Sequence, residues 1–252
     1  MHRFKALLVL IAILFPAAAL AEDAPLNVLI SGKSVNIRAE PSTKAAVAGR
    51  FAGGEVAAVL EVKHGKDPYP WYLVLSRKFW PGGPVAEGWV YGQFVTSLTY
   101  DNTTEREVSI MADCFADFTG KLVRQFGASP DEAVKKLGKP DSMTEKEEPG
   151  IHNPGDRVTW YTLFYPGLEL GFFTTNTGGG GLIRAKPETP DHALAGAISP
   201  GAALRDVILQ AGPPHSREGD TFYWSDGAGY AELYVTFSGG RVAEADYTVF
   251  VD

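Results

Sequence analysis

The chain carries one thiol, Cys114, and five imidazoles, at His2, His64, His152, His192 and His215. A nucleophilic cysteine needs a base beside it, because a free thiol with pKa ~8.5 is mostly protonated at neutral pH. The histidines lie in polar, Gly/Pro-rich stretches, and none is spaced from another His or a carboxylate as metal ligands are. Each is expected in a surface loop. A single Cys excludes an internal disulfide and a thiolate zinc site. The run Gly178-Gly179-Gly180-Gly181 lacks the Lys-Ser/Thr of a phosphate cradle and reads as a flexible hairpin. No Gly-x-Ser-x-Gly elbow occurs. Neither a catalytic centre nor a metal or cofactor site is expected.

Recognition by aromatic side chains is the chemistry that remains. Trp71, Tyr72, Trp80, Trp89, Tyr91 and Phe94 are the candidate ligand-binding residues. Aromatics with a polar tip bury large area at small entropic cost and are favoured at recognition sites. Trp71 and Trp89 lie in strand-like runs, where inward packing is the competing expectation. Trp80, between Phe79 and Pro81-Gly82-Gly83-Pro84, falls in a loop.

Short strands must position this set. Val35 and Ile37, then Val56, Ala58, Leu60 and Val62, follow the alternation of half-buried strands. Val47 to Phe51, Trp71 to Leu75, Glu87 to Tyr91 and Phe94 to Leu98 continue the series, with turns at Gly53-Gly54, Asp67-Pro68 and the 81–84 loop. A small β-barrel over residues 26–100 follows.

The segment Val35-Asn36-Ile37-Arg38-Ala39-Glu40-Pro41-Ser42, then Trp71-Tyr72-Leu73-Val74, then Gly88-Trp89-Val90-Tyr91, resembles the bacterial SH3 (SH3b) family. Glu40 stands where that family has Gly, and Ser76 to Glu87 is longer than usual. The resemblance implies a domain that binds cell-wall peptide or a protein partner.

Behind the barrel, Val108, Met111, Phe115, Phe118 and Leu122 form a stripe at helical spacing, so a linker helix is expected over 104–127, stopped by Gly127. Residues 128–190 and 196–252 then read as two α+β repeats, each a helix followed by a three-stranded antiparallel meander. The first helix opens at Ser129-Pro130-Asp131-Glu132 and ends at Gly138-Lys139-Pro140; the second opens at Ser199-Pro200 and ends at Gly212-Pro213-Pro214. The overall expectation is a β-rich α+β chain whose paired repeats share a sheet or pack as a pseudo-symmetric pair. This half resembles the β-lactamase-inhibitor-protein-like tandem repeat and the outer-membrane-assembly lipoprotein fold of the SmpA type. That implies a second protein-binding surface, or an accessory role in outer-membrane assembly. Trp160, Tyr165, Phe172, Trp224, Tyr230 and Tyr234 either fill the repeat core or face a partner.

Asp113-Cys114, then Pro154-Gly155-Asp156, resembles cell-wall cysteine peptidases that follow bacterial SH3 domains. Phe115-Ala116 replaces their Ser-Gly, and Glu169-Leu170-Gly171-Phe172-Phe173 offers Glu where the basic His should stand. At most a degenerate relative is implied.

Arg3 and Lys5, the apolar run Ala6 to Phe15, and Ala19-Leu20-Ala21 read as a signal peptide over 1–21, cleaved before Glu22. The expected location is periplasmic or secreted, with no stable membrane insertion after cleavage. The net charge is -7 with no Lys/Arg block, which argues against nucleic-acid partners and an anionic membrane surface.

Overall fold

The computed structural model describes residues 24–77, 85–99, 102–150 and 155–251. The signal-peptide segment 1–21 and Trp80 lie outside the described residues.

Seven antiparallel strands make the first sheet: β1 (Asn27–Ile30), β2 (Ser34–Arg38), β3 (Val47–Ala52), β4 (Val56–Lys63), β5 (Trp71–Arg77), β6 (Val85–Tyr91) and β7 (Val95–Leu98). Their order is β3-β2-β6-β5-β4-β1-β7. Val28, Ile30, Val35, Ile37, Phe51, Ala57, Val59, Tyr72, Val74 and Val90 meet in one core. Six strands send alternate residues into that core, so the sheet wraps around it as a barrel. Phe94, expected at the start of the last strand, instead ends a 3-10 turn at Gly92–Phe94. The turn lifts its ring out of the strand alternation and leaves it 43% exposed.

The helix α1 (Glu105–Phe126) starts at Thr104, where the Glu107 carboxylate accepts the Thr104 N–H at 2.9 Å and also its hydroxyl. The Thr104 hydroxyl bond holds this carboxyl below its ordinary range. Gly127 ends the helix at φ 100°, a conformation that favours glycine. Met111, Phe115, Phe118, Leu122 and Phe126 are buried along one stripe. This helix is therefore a core element of the second half as well as a link to the barrel.

The second half contains α2 (Pro130–Leu137), β8 (Ser142–Pro149), β9 (Arg157–Tyr165), β10 (Leu168–Thr175), β11 (Gly180–Pro187), α3 (Leu204–Ala211), β12 (Ser216–Glu218), β13 (Thr221–Ser225), β14 (Ala231–Ser238) and β15 (Arg241–Val249). Each helix precedes four antiparallel strands, not the three read from the sequence. The additional strands, β8 and β12, are the two edges of a single eight-stranded sheet ordered β12-β13-β14-β15-β11-β10-β9-β8. An edge strand with neither face covered needs no apolar alternation, which is why Ser142–Pro149 gave no strand signal. The two runs join where β11 meets β15, at Arg184 opposite Thr248 and Ala185 opposite Tyr247. The second helix begins at Leu204, later than Ser199-Pro200, and Asp206 accepts the Ala203 N–H at 3.4 Å in its first turn.

One face of this sheet carries Leu163, Leu168, Leu170, Phe172, Trp224, Leu233 and Val235 into a core with Phe115, Phe118 and Leu122 of α1. Ala58 and Leu75 of the barrel belong to the same core. Asn27 Nδ2 donates to the Pro214 carbonyl at 2.6 Å, and Arg205 Nε to Glu87 Oε2 at 2.7 Å. The barrel is thus packed against the helical layer through shared apolar residues.

Candidate functional site

Strand β5 divides its residues by parity. Tyr72 and Val74 point into the barrel core, while Trp71, Leu73 and Leu75 take the outer face. Leu75 docks against the second half. Trp71, at the other end of that face, forms one wall of an open groove of about 140 Å³. Ser34, Val35, Asn36, Arg38, Thr43, Tyr91 and Phe94 complete its lining.

The groove opens where two strands part. β2 and β6 are joined by one register pair, Arg38 opposite Trp89. Close approach there depends on Gly88 (φ 151°), because a Cβ would lie 2.5 Å from Ile37 Cγ2 and 2.9 Å from the Arg38 carbonyl oxygen. Beyond this contact the outward residues of β2 face the aromatic row of β5, β6 and the 3-10 turn.

That row is organised about Tyr91. Its ring lies 5.1 Å from Trp71, 5.8 Å from Tyr69 in an edge-on contact, and 6.4 Å from Phe94. Trp71 is only 3% exposed, and its indole N–H donates to Asp67 Oδ2 at 3.1 Å, which fixes the ring. Tyr69 and Phe94 are exposed, and Tyr91 is half-buried. On the polar wall, Arg38 Nη1 donates to the Ala45 carbonyl at 2.7 Å, and Asn36 Oδ1 accepts from Arg50 Nε at 3.1 Å.

Of the six aromatics singled out by sequence, the structure brings Trp71, Tyr91 and Phe94 together. Tyr72 is a barrel-core residue, placed inward by its strand parity. Trp89 is 6% exposed, with Lys63 Nζ 4.7 Å from its ring centroid, and does not line the groove. Sequence reasoning missed Tyr69, Ser34, Asn36, Arg38 and Thr43 as lining or flanking residues. The signal for Asn36 and Arg38 was present: they alternate with the core residues Val35 and Ile37.

In the second half, Tyr165, Phe172 and Trp224 are core residues, and Tyr230 is exposed just before β14. The opposite face of the sheet carries two aromatic pairs. Trp160 and Phe173 lie 6.0 Å apart, with the Trp160 indole on Glu148 Oε2 at 3.0 Å; Tyr223 and Tyr234 lie 5.1 Å apart. Between them Arg184 bridges Glu169 at 3.0 Å and Asp246 at 2.8 Å.

Cys114 is buried on α1 against Gly212, where a Cβ would lie 2.4 Å from that of Cys114. Glu169, flanked in β10 by the core residues Leu168 and Leu170, points to the opposite sheet face and is engaged by Arg184. His64 is exposed, and His152 lies outside the described residues. His215 departs from the surface-loop expectation. Its Nδ1 accepts the Ser225 N–H at 3.1 Å, and its Nε2 is buried without a hydrogen-bond partner among the described residues. Burial pushes its pKa down, and Asp226 acts in the opposite direction. No group of three or more His, Cys, Asp or Glu residues that could hold a metal occurs among the described residues.

No curated protein and no solved structure matches the chain. Residues 33–96, which run from just before β2 into β7 and include every residue lining the groove, match the bacterial SH3 domain family. The groove and the barrel strands from β2 into β7 therefore fall within a match to the bacterial SH3 domain family.

Proposed function

We propose that the protein is a non-enzymatic, exported binding protein whose SH3 domain recognises cell-wall peptide through the Tyr91 groove. The observation that carries this reading is an aromatic shelf, half-exposed and braced by a buried tryptophan, facing polar side chains on a barrel of the bacterial SH3 family. Such a shelf binds extended peptide by stacking and by hydrogen bonds from its polar wall. The leader at 1–21 would deliver the chain to the periplasm or the exterior, where such peptide is found. Among the described residues no helix is long and apolar enough to cross a membrane.

A binding role without catalysis agrees with the placement of Cys114 and Glu169 on opposite sides of the sheet. The eight-stranded sheet supplies a second, protein-binding surface on its open face. The Trp160–Phe173 and Tyr223–Tyr234 pairs there lie outside the core and present π-faces beside charged side chains.

Co-sedimentation of the chain from Glu22 to Asp252 with purified peptidoglycan sacculi tests the groove reading. Wild type should sediment and Tyr91→Ala should stay largely in the supernatant. Equal sedimentation of both would show that the groove is not the wall-binding site.

A further inference from the structure

We infer that the groove selects a peptide carboxylate, with Arg38 as its receptor; this rests on the groove reading above. Among the described residues that line the groove, Arg38 is the one charged side chain and none is a carboxylate. A guanidinium has five N–H donors. One of them, on Nη1, is held by the Ala45 carbonyl at 2.7 Å, and Arg38 makes no ion pair among the described residues. The Ala45 bond fixes the side chain while donors remain for a ligand. Asp67, beside the aromatic wall, accepts the Trp71 indole N–H at 3.1 Å.

The neighbours reinforce the preference. Asn36 on the same wall binds Arg50 through its Oδ1, which adds a second positive charge at the rim and leaves the Asn36 amide N–H donors available. Ser34 and Thr43 contribute hydroxyls. A planar carboxylate accepts paired N–H donors from one guanidinium, and such charge-assisted bonds are roughly twice as strong as neutral ones. The aromatic shelf opposite would take the apolar part of the same residue or its neighbour. In a chain with net charge -7, a groove whose only charged liner among the described residues is cationic is a local reversal of the overall field.

Two sources offer this chemistry, a peptide's C-terminal carboxylate and an acidic side chain. NMR titration of the ¹⁵N-labelled chain would use three acetylated probes: Ala-Ala-Phe with a free C-terminus, the same peptide as its amide, and Ala-Glu-Phe amide. The proposal expects one or both carboxylate peptides to bind ~10-fold or more tightly than Ala-Ala-Phe amide. The shifts should centre on the Trp71 indole and the amides of β2. Arg38→Gln, which keeps a donor without the charge, should abolish the difference, and Arg38→Lys should retain part of it. Comparison of the two carboxylate probes identifies the source. Equal binding of all three, binding of none, or an undiminished difference in Arg38→Gln would overturn the assignment. Equal binding that Tyr91→Ala still weakens would overturn the carboxylate alone and leave groove recognition standing.

Discussion

Trp71 and Tyr91 are register partners on β5 and β6, with ring centroids 5.1 Å apart and planes inclined at 45°. Their environments differ although the rings touch. Trp71 is nearly inaccessible and tied to Asp67, whereas Tyr91 is half-buried, and both line the groove. One ring holds the wall in place, and the other is the one the proposed binding would use.

This division predicts different costs for the two truncations. Trp71→Ala should lower stability by ~3–5 kcal/mol, as removal of a buried large aromatic does. Tyr91→Ala should lower it by less, ~1–3 kcal/mol, from the part-buried ring area and its aromatic contacts. Urea denaturation measures both, and sacculus sedimentation measures binding. Tyr91→Ala should then be folded and binding-deficient; a stability loss equal to that of Trp71→Ala would contradict the assigned roles.

Leu75 sits on the same outer face as Trp71 but inside the core shared with α1 and the large sheet. The barrel and the second half should therefore unfold together, in one calorimetric transition. Leu75→Ala should destabilise by ~2–5 kcal/mol. Leu75→Asp should go further and split the transition in two, because a buried unpaired carboxylate cannot be accommodated at that contact. A wild type that already unfolds in two separate steps would refute the coupling.

His215 gives stability a pH dependence whose direction is fixed. Its folded pKa is lowered from the ordinary 6.5 by burial, so between 6.5 and that lower value the unfolded chain binds more protons. The stabilisation is fully present above pH ~6.5 and declines as pH falls through the folded value. Protonation also places a hydrogen on Nδ1, where the Ser225 N–H now points. His215→Asn, whose Oδ1 replaces the Nδ1 acceptor, should flatten the stability profile in this window. An unchanged slope in chemical denaturation between pH 6.5 and 5 would assign the dependence to other groups.

Asp226 organises the turn that leads into β14. Its Oδ1 accepts the N–H groups of Ala228 at 3.0 Å, Gly229 at 2.8 Å and Tyr230 at 3.2 Å, and its Oδ2 that of Ala231 at 3.3 Å. A Cβ at Gly227 would lie 3.5 Å from that of Ala112, so the turn rests on α1. Asp226→Ala should cost ~1.5–3 kcal/mol, the scale of hydrogen bonds to a charged group. Asp226→Asn should recover much of this, since one carbonyl oxygen can serve the three Oδ1 contacts. Hydrogen exchange at Ala228 to Ala231 would detect the loosened turn directly.

The legible parts of the fold were those with a buried periodicity. Val35/Ile37, the α1 stripe and the alternating residues of β9, β10, β13 and β14 each commit one face to a core, and each element was found in place. β8 was not legible because its eight residues are almost wholly exposed and carry no pattern. In the groove, Trp71 and Tyr91 were singled out by residue type, but type alone also selected Tyr72 and Trp89, which strand parity and Lys63 remove from the lining. Arg38 was overlooked as a site residue because it was read as part of a family signature. The role proposed for it depends on the splaying of β2 from β6, a long-range relationship with no local sequence mark.

Cys114 offers the most direct test of a binding role against a catalytic one. Cys114 is 9% exposed as a residue, on the face of α1 that meets Gly212 at the end of α3. A nucleophile must reach its substrate and must exist largely as thiolate, both of which make it react with iodoacetamide in the native state. A packed thiol reacts only when the helix contact opens, so its alkylation should be slow and should accelerate along the urea unfolding curve. Cys114→Ala should then leave sacculus binding unchanged, because the thiol lies in the helical layer and not in the groove. Rapid native alkylation with a pH midpoint well below ~8.5 would mark an activated thiolate. It would move the protein out of the binding class, whatever the groove proves to hold.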